Sequence, residues 1–218
     1  MKQLLILSGK GGTGKTTVAG ALIKLSQARA YADCDVDAPN LHLSMIHTNT
    51  PERFDYYGMP KAQIDVNTCI GCGNCEEHCR FDAIIQRNGY VVDPFSCEGC
   101  GVCEAICPVN AVSMNPAIAG EQMLYRAAHS VFSTAQLKMG SGTSGKLVTE
   151  VKKRMLSSLL PETELAIIDG SPGIGCPVIA SLSGVSMVLI VAEPSVSGIS
   201  DMERIIRTAE IFHTQLCV

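Results

Sequence analysis

Eight of the eleven cysteines fall into two runs that align without a gap. CIGCGNCEEHCRFDAI (69–84) and CEGCGVCEAICPVNAV (97–112) match at eight of sixteen positions, all four cysteines included. A stretch this dense in thiols folds around whatever the thiolates bind. The chain opens with no export signal, so clustered cysteines point to metal and not to disulfides. Each run reads C-x2-C-x2-C-x3-C. That spacing lets successive thiolates converge on one cube of iron and sulfide. The glycines allow tight turns that aim amide N–H groups at sulfur. A zinc site would use four cysteines as two CxxC pairs and not two interleaved four-cysteine runs.

The remaining composition narrows the field. The chain's 218 residues leave room for one large or two modest domains. A net charge of −4 makes nucleic acid a poor partner, because neutralising phosphates takes a basic surface. The one basic run, Lys152-Lys153-Arg154, reads as a solvated helix face. The apolar run QLLIL at 3–7 is stopped at once by Gly9 and Lys10, and no later segment reaches membrane length. A soluble cytoplasmic protein without stable membrane insertion is expected.

Gln3–Leu7 has the continuous apolar character of a strand buried on both faces. From Lys15 to about Leu25, Val18, Ala21, Leu22 and Leu25 recur at helical spacing. Ala30–Ala32 is a short strand candidate, and 41–68 look irregular. Leu147–Leu160 reads as an amphipathic helix. Ala166–Ile168 and Val185–Val191 read as buried strands. Ser200-Asp201-Met202-Glu203 has the form of a capping box opening a helix with Ile205, Ile206, Ala209 and Phe212 inward. The expected fold class is α/β, a mostly parallel sheet with helices on both faces, interrupted by a small α+β insertion. Residues 1–58 and 116–218 form the α/β domain and 59–115 the insertion. The final LCV reads as the start of one more strand, which suggests an incomplete C-terminal portion.

Between the first strand and helix lies SGKGGTGKTT. Gly9, Gly14, Lys15 and Thr16 satisfy G-x-x-x-x-G-K-[ST], and strand–loop–helix is the context this phosphate-binding motif requires. Gly9, Lys10, Gly11, Gly12, Thr13, Gly14, Lys15, Thr16 and Thr17 are therefore the nucleotide-binding candidates. Backbone N–H groups at a helix N-terminus cradle phosphates, Lys15 reaches them, and Thr16 offers a hydroxyl to Mg2+. Asp169, at a later strand end, is the downstream magnesium carboxylate. Asp33 and Asp35 supply a second acidic pair. GSGTSGK at 140–146 mimics the motif, but Leu147 follows and no apolar strand precedes it, so it reads as a loop.

Lys10 is one lysine more than the motif needs. G-K-G-G-T-G-K-T-T resembles the deviant phosphate loop of the MinD/ParA-type ATPases, which include the nitrogenase iron protein and the Mrp-type iron–sulfur carriers. DCDVDAPNLHL (33–43) looks like that superfamily's D-x-D segment, and IIDGSPGIG (167–175) its Asp-plus-switch-loop element. The resemblance implies a P-loop NTPase fold, ATP with Mg2+, and a homodimer closing on ATP. It implies that Lys10 reaches the partner's phosphates, that Asp35 orients the attacking water and that Asp33 lies on the magnesium side. Catalysis would rest on Lys10, Lys15 and Asp35.

The cysteine runs resemble bacterial two-cluster ferredoxins, in which the fourth cysteine of each run serves the other cluster. That implies one 4Fe-4S cluster on Cys69, Cys72, Cys75 and Cys107, and another on Cys79, Cys97, Cys100 and Cys103. Arg80 stands where the second run has Pro108, which costs a fixed φ angle and no ligand. Cys34, Cys176 and Cys217 are left over and read as buried and inert, with a reactive thiol the alternative for Cys176, which lies beside the nucleotide site and has no CxxC partner. His42, His47, His78, His129 and His213 share no spacing and read as structural or surface residues. Glu193-Pro194-Ser195 follows a strand end and is a candidate for contact with nucleotide or partner.

Three functions compete. One is an ATPase that couples dimer closure to electron transfer toward an unidentified redox protein. The second is an iron–sulfur cluster carrier serving a cluster-accepting protein. It lacks a CxxC pair outside the eight ligands. The third is a positioning or partition ATPase, which needs a basic face or terminal helix that is not visible.

Overall fold

The computed structural model describes residues 1–45 and 49–218, so His47 lies outside the described residues. In chain order the elements are β1 (Lys2–Ser8), α1 (Lys15–Ser26), β2 (Ala30–Asp33), α2 (Leu41–Ser44), β3 (Glu52–Tyr57) and β4 (Lys61–Ile64). Then come α3 (Asn74–Glu77), β5 (Ile84–Gln86), β6 (Tyr90–Val92), α4 (Val102–Ala105), β7 (Val112–Asn115), β8 (Ile118–Arg126) and β9 (Val131–Leu137). The chain ends with α5 (Ser144–Ser157), β10 (Leu165–Pro172), α6 (Cys176–Leu182), β11 (Met187–Ile190), α7 (Val196–Glu210) and β12 (Gln215–Cys217).

The chain divides into two compact units. The first comprises Met1–Phe54, Glu121–Leu137 and Ser144–Val218; the second comprises Asp55–Gly120 and Lys138–Thr143. The second unit thus includes Lys138–Thr143, which lie outside the 59–115 expected for the insertion. Tyr56 Oη donates to Thr143 Oγ1 at 2.9 Å, and the Lys138 N–H donates to the Ala119 carbonyl at 2.8 Å.

An eight-stranded sheet runs in the order β12-β11-β1-β10-β2-β9-β8-β3. Its strands from β12 to β9 pair in parallel. Leu5, Ile6 and Leu7 on β1, and Ala166, Ile167 and Ile168 on β10, are buried on both faces, as their unbroken apolar runs predict. Each Leu or Ile side chain among them contributes about 1.5–3 kcal/mol by leaving water. Under α1 a cluster forms from Ile6, Ile23, Tyr31, Leu41, Phe132 and Ile167, with the rings of Tyr31 and Phe132 stacked at 5.0 Å.

Several elements differ from expectation. β8 and β9 are strands without an apolar run: β9 buries Ser133 and Thr134 and β8 buries Gln122, so polarity hides the pattern. The 200–203 box lies inside α7; the helix starts earlier, where the Ser195 hydroxyl accepts the Gly198 N–H at 3.1 Å. The strand expected at LCV is β12, paired with β11.

The basic run is not a uniform solvated face. Lys152 is 6 % exposed, and its ammonium donates to the Ser181 and Ser183 carbonyls at 2.6 Å each, closing the C-terminal end of α6. Burial pulls its pKa below the ordinary lysine value. Lys153 pairs with Glu150 in solvent, and Arg154 lies 3.7 Å over the Phe54 ring.

In the second unit β4 pairs antiparallel with β7, and β5 with β6. The repeat is visible in the backbone. Gly73 and Gly101 precede α3 and α4 with φ of 81° and 77°, a left-handed conformation that glycine adopts without strain. The repeat also extends upstream of the cysteines. Asp65 accepts from the Asn67 N–H and the Thr68 hydroxyl, and Asp93 accepts likewise from Phe95 and Ser96. The hydroxyl of Thr68, and that of Ser96, hold these carboxyls below the ordinary range.

Replacing Lys152 with Met strands two α6 carbonyls. It should cost about 2–3 kcal/mol in urea denaturation, whereas Lys153→Met should stay within about 0.5 kcal/mol.

Candidate nucleotide site and cysteine cavities

The loop between β1 and α1 closes tightly because Gly14, the residue before the helix, takes φ 89°. Gly9 is fixed by a close approach: a Cβ there would overlap the Asp201 side chain of α7. The loop borders an open cleft of about 600 Å3 lined by Gly11, Gly12, Gly14, Lys15, Thr16 and Thr17, with Asp35, Asp37, Asn40 and Ser171 also on its walls.

The Lys15 ammonium meets Asp169 Oδ1 at 2.6 Å, with the two side chains 7 % and 0 % exposed. β10 carries Asp169 to this point beside β1, in register with Ile6, and runs on to Pro172. Asp169 Oδ2 and Thr13 Oγ1 are buried without a protein partner. Buried polar atoms in this state demand a ligand, water or ion. The donor set thus fits a magnesium–phosphate group: the orphaned Asp169 and Thr13 oxygens beside Thr16 and the glycine loop on the cleft wall.

Asp33 behaves differently from the expected magnesium-side carboxylate. It is fully buried at the end of β2. Its Oδ1 accepts the Asp35 N–H at 3.0 Å, and its Oδ2 the Asn40 and Leu41 N–H groups at 2.9 Å each. Its oxygens hold the 35–41 turn, and Asp35 on that turn reaches the cleft. Burial, then the Asp169 charge, push the Asp33 carboxyl up to about 7. Burial also raises Asp35.

Lys10 does not touch the cleft. Its ammonium pairs with Glu193 Oε2 at 2.6 Å, both side chains about two-fifths exposed. Sequence reading flagged both residues but not their pairing, which depends on β11 lying beside β1. Asp37 and Ser171 lie within the 33–43 and 167–175 segments but were assigned no role of their own; the Ser171 hydroxyl donates to the Cys34 carbonyl at 2.6 Å.

The eight clustered cysteines surround two small cavities. One is lined by Cys69, Cys72, Cys75 and Cys107, the other by Cys79, Cys97, Cys100 and Cys103. Each draws three thiols from one run and one from the other. The Ala111 N–H donates to Cys107 Sγ at 3.2 Å, and backbone donors led by Val109 hold that thiol below its ordinary pKa. Four soft donors with amide support fit an iron–sulfur cluster. Of the remaining cysteines, Cys34 is buried and pushed up to about 12 by desolvation, as an inert thiol should be. Cys176 and Cys217 are exposed, contrary to expectation.

Residues 62–114 match the 4Fe-4S dicluster domain. Over 220 residues the chain is 33% identical to the uncharacterized protein MJ0578 of Methanocaldococcus jannaschii, covering 99% of this chain and 76% of that protein. The chain belongs to the MJ0578 family. The uncharacterized protein MJ0579 of the same organism is 28% identical, over 96% of this chain and 77% of its own length. Among solved structures, apo McdA of Cyanothece superposes with a TM-score of 0.52 at 19% identity, covering 99% of this chain and 70% of McdA. This family member therefore has an α/β fold like that of McdA, with a 4Fe-4S dicluster domain at residues 62–114. Among the described residues no helix is long and apolar enough to cross a membrane.

In nucleotide-free protein, Lys15→Met or Asp169→Leu alone leaves one buried charge uncompensated and should cost about 3–5 kcal/mol. The double variant should cost clearly less than the sum, read from a urea-denaturation double-mutant cycle.

Proposed function

We propose that this protein is a cytoplasmic ATPase in which ATP-dependent closure of a homodimer gates electron transfer through two 4Fe-4S clusters. The two complete four-thiol cavities carry this reading. A full ligand set holds its cluster tightly, which favours a resident redox centre over cargo in transit. Cys69, Cys72, Cys75 and Cys107 would hold one cluster, and Cys79, Cys97, Cys100 and Cys103 the other. When bound, the clusters supply one-electron transfer at low potential.

The chain's own residues divide the nucleotide work. The loop amides and Lys15 hold phosphates, Thr16 and Asp169 hold Mg2+, and Asp35 orients water. Asp33 positions Asp35 by fixing the turn that carries it. When nucleotide enters, Lys15 would exchange a carboxylate for phosphate, and Asp169 would be free to hold the metal. Lys10 leaves Glu193 to neutralise charge on the partner's nucleotide. A half-exposed pair is worth at most about 1 kcal/mol, so this exchange costs little.

Charge favours a redox partner with a basic face. The cysteine-rich unit carries eight Asp/Glu against four Lys/Arg, while the other unit is balanced at thirteen each. The chain's whole excess of negative charge therefore falls in the cysteine-rich unit.

Lys10→Ala should bind ATP within about threefold of wild type, yet fail to dimerise with Mg-ATP and lose at least tenfold in ATPase rate. Light scattering and phosphate release check this. Normal dimerisation by the variant would remove Lys10 from the mechanism.

A further inference from the structure

Asp169 is followed by GSPGIG (170–175), and α6 begins at Cys176. α5 is tied to α6 at both ends. A Cβ on Gly145 would lie 3.0 Å from the Cys176 carbonyl oxygen and 3.1 Å from its Cβ, so the two backbones touch there. At the far end Lys152 grips the Ser181 and Ser183 carbonyls. A shift at the start of α6 must therefore move α5.

The residues immediately before α5 are Lys138–Thr143, which pack within the cysteine-rich unit. A Cβ on Gly140 would lie 3.6 Å from Phe95 Cδ1, and one on Gly142 3.6 Å from Glu98 Oε2. Phe95 and Glu98 flank Cys97, whose thiol lines the second cavity with Cys100. The segment's last residue, Thr143, sits at φ 76°. That is a strained conformation for a β-branched residue. Tyr56 Oη holds it there through bonds to Oγ1 (2.9 Å) and the carbonyl (3.2 Å).

We propose that Lys138–Gly145 is a strap that transmits nucleotide state to the second cysteine cavity and not to the first. This rests on the ATP-gated reading above. A metal and phosphate acting on Asp169 move the 170–175 loop, α6 and α5 follow, and the strap shifts Phe95 and Glu98 against Cys97. Thr143 is the strained, releasable anchor. The strap makes the two clusters unequal: one senses nucleotide, and the other keeps a constant environment.

The test uses the cluster-loaded, oxidised protein and the paramagnetically shifted β-proton NMR signals of its cysteines. These are compared with and without Mg2+ and adenylyl imidodiphosphate. The signals of Cys97 and Cys100 should move, and those of Cys69, Cys72 and Cys75 should not. Thr143→Gly relieves the strained φ and deletes the hydroxyl, and Tyr56→Phe deletes the donor. Each should remove at least half of the movement while nucleotide affinity stays within twofold. Movement undiminished in both variants, or centred on Cys69–Cys75, overturns the strap and leaves ATP gating standing. Bound nucleotide with no movement at any cysteine overturns both.

Discussion

At the carboxyl end of β1 and β10 an ammonium and a carboxylate stand 2.6 Å apart, almost wholly out of water. Two buried charges are tolerated only because each compensates the other. Much of the site follows from this pair. It ties the first turn of α1 to the central strand. It leaves one Asp169 oxygen unsatisfied, and nearby Asp33 is pushed up to about 7 by burial first and by the Asp169 charge second. Asp33 tolerates that position by spending its oxygens on three backbone amides. The turn so fixed presents Asp35. In the proposed function, a phosphate group entering the cleft would compete for Lys15 and free Asp169.

The cysteine-rich unit solves a different problem. Its apolar clusters are small, built on Ala62, Ala83, Val112, Ile84 and Tyr90, and they include the cysteines themselves. A segment of this size gains little from hydrophobic burial alone. Cluster ligation by the eight cysteines would supply the missing cohesion, as in other small metal-bound domains. The doubled Asp turns upstream of Cys69 and Cys97 prepare each run by fixing the chain before its first ligand.

How much of this the sequence disclosed depends on range. Contiguous patterns were legible: the cysteine spacing of a 4Fe-4S dicluster domain, and strands whose two buried faces demand apolar runs. Three-plus-one sharing of thiols followed from likeness to two-cluster ferredoxins, and the cavity linings have that arrangement. Long-range pairings were not legible. Lys152 looks like any surface lysine until α6 is placed beside it, and Lys10 meets Glu193 only through the order of strands. Asp33 and Asp35 look alike in DCDVD, yet one faces backbone and the other the cleft. β8 and β9 stayed hidden because buried Gln122, Ser133 and Thr134 break the hydrophobic signal on which strand recognition depends.

The coupling between a phosphate site and a pair of low-potential centres is the central claim. It is tested most directly by an anaerobic reductive titration of the cluster-loaded protein followed by EPR, with and without Mg2+ and a non-hydrolysable ATP analogue. The account predicts two 4Fe-4S signals, with a midpoint potential that moves when nucleotide binds. Two signals whose potentials are indifferent to bound nucleotide would contradict it.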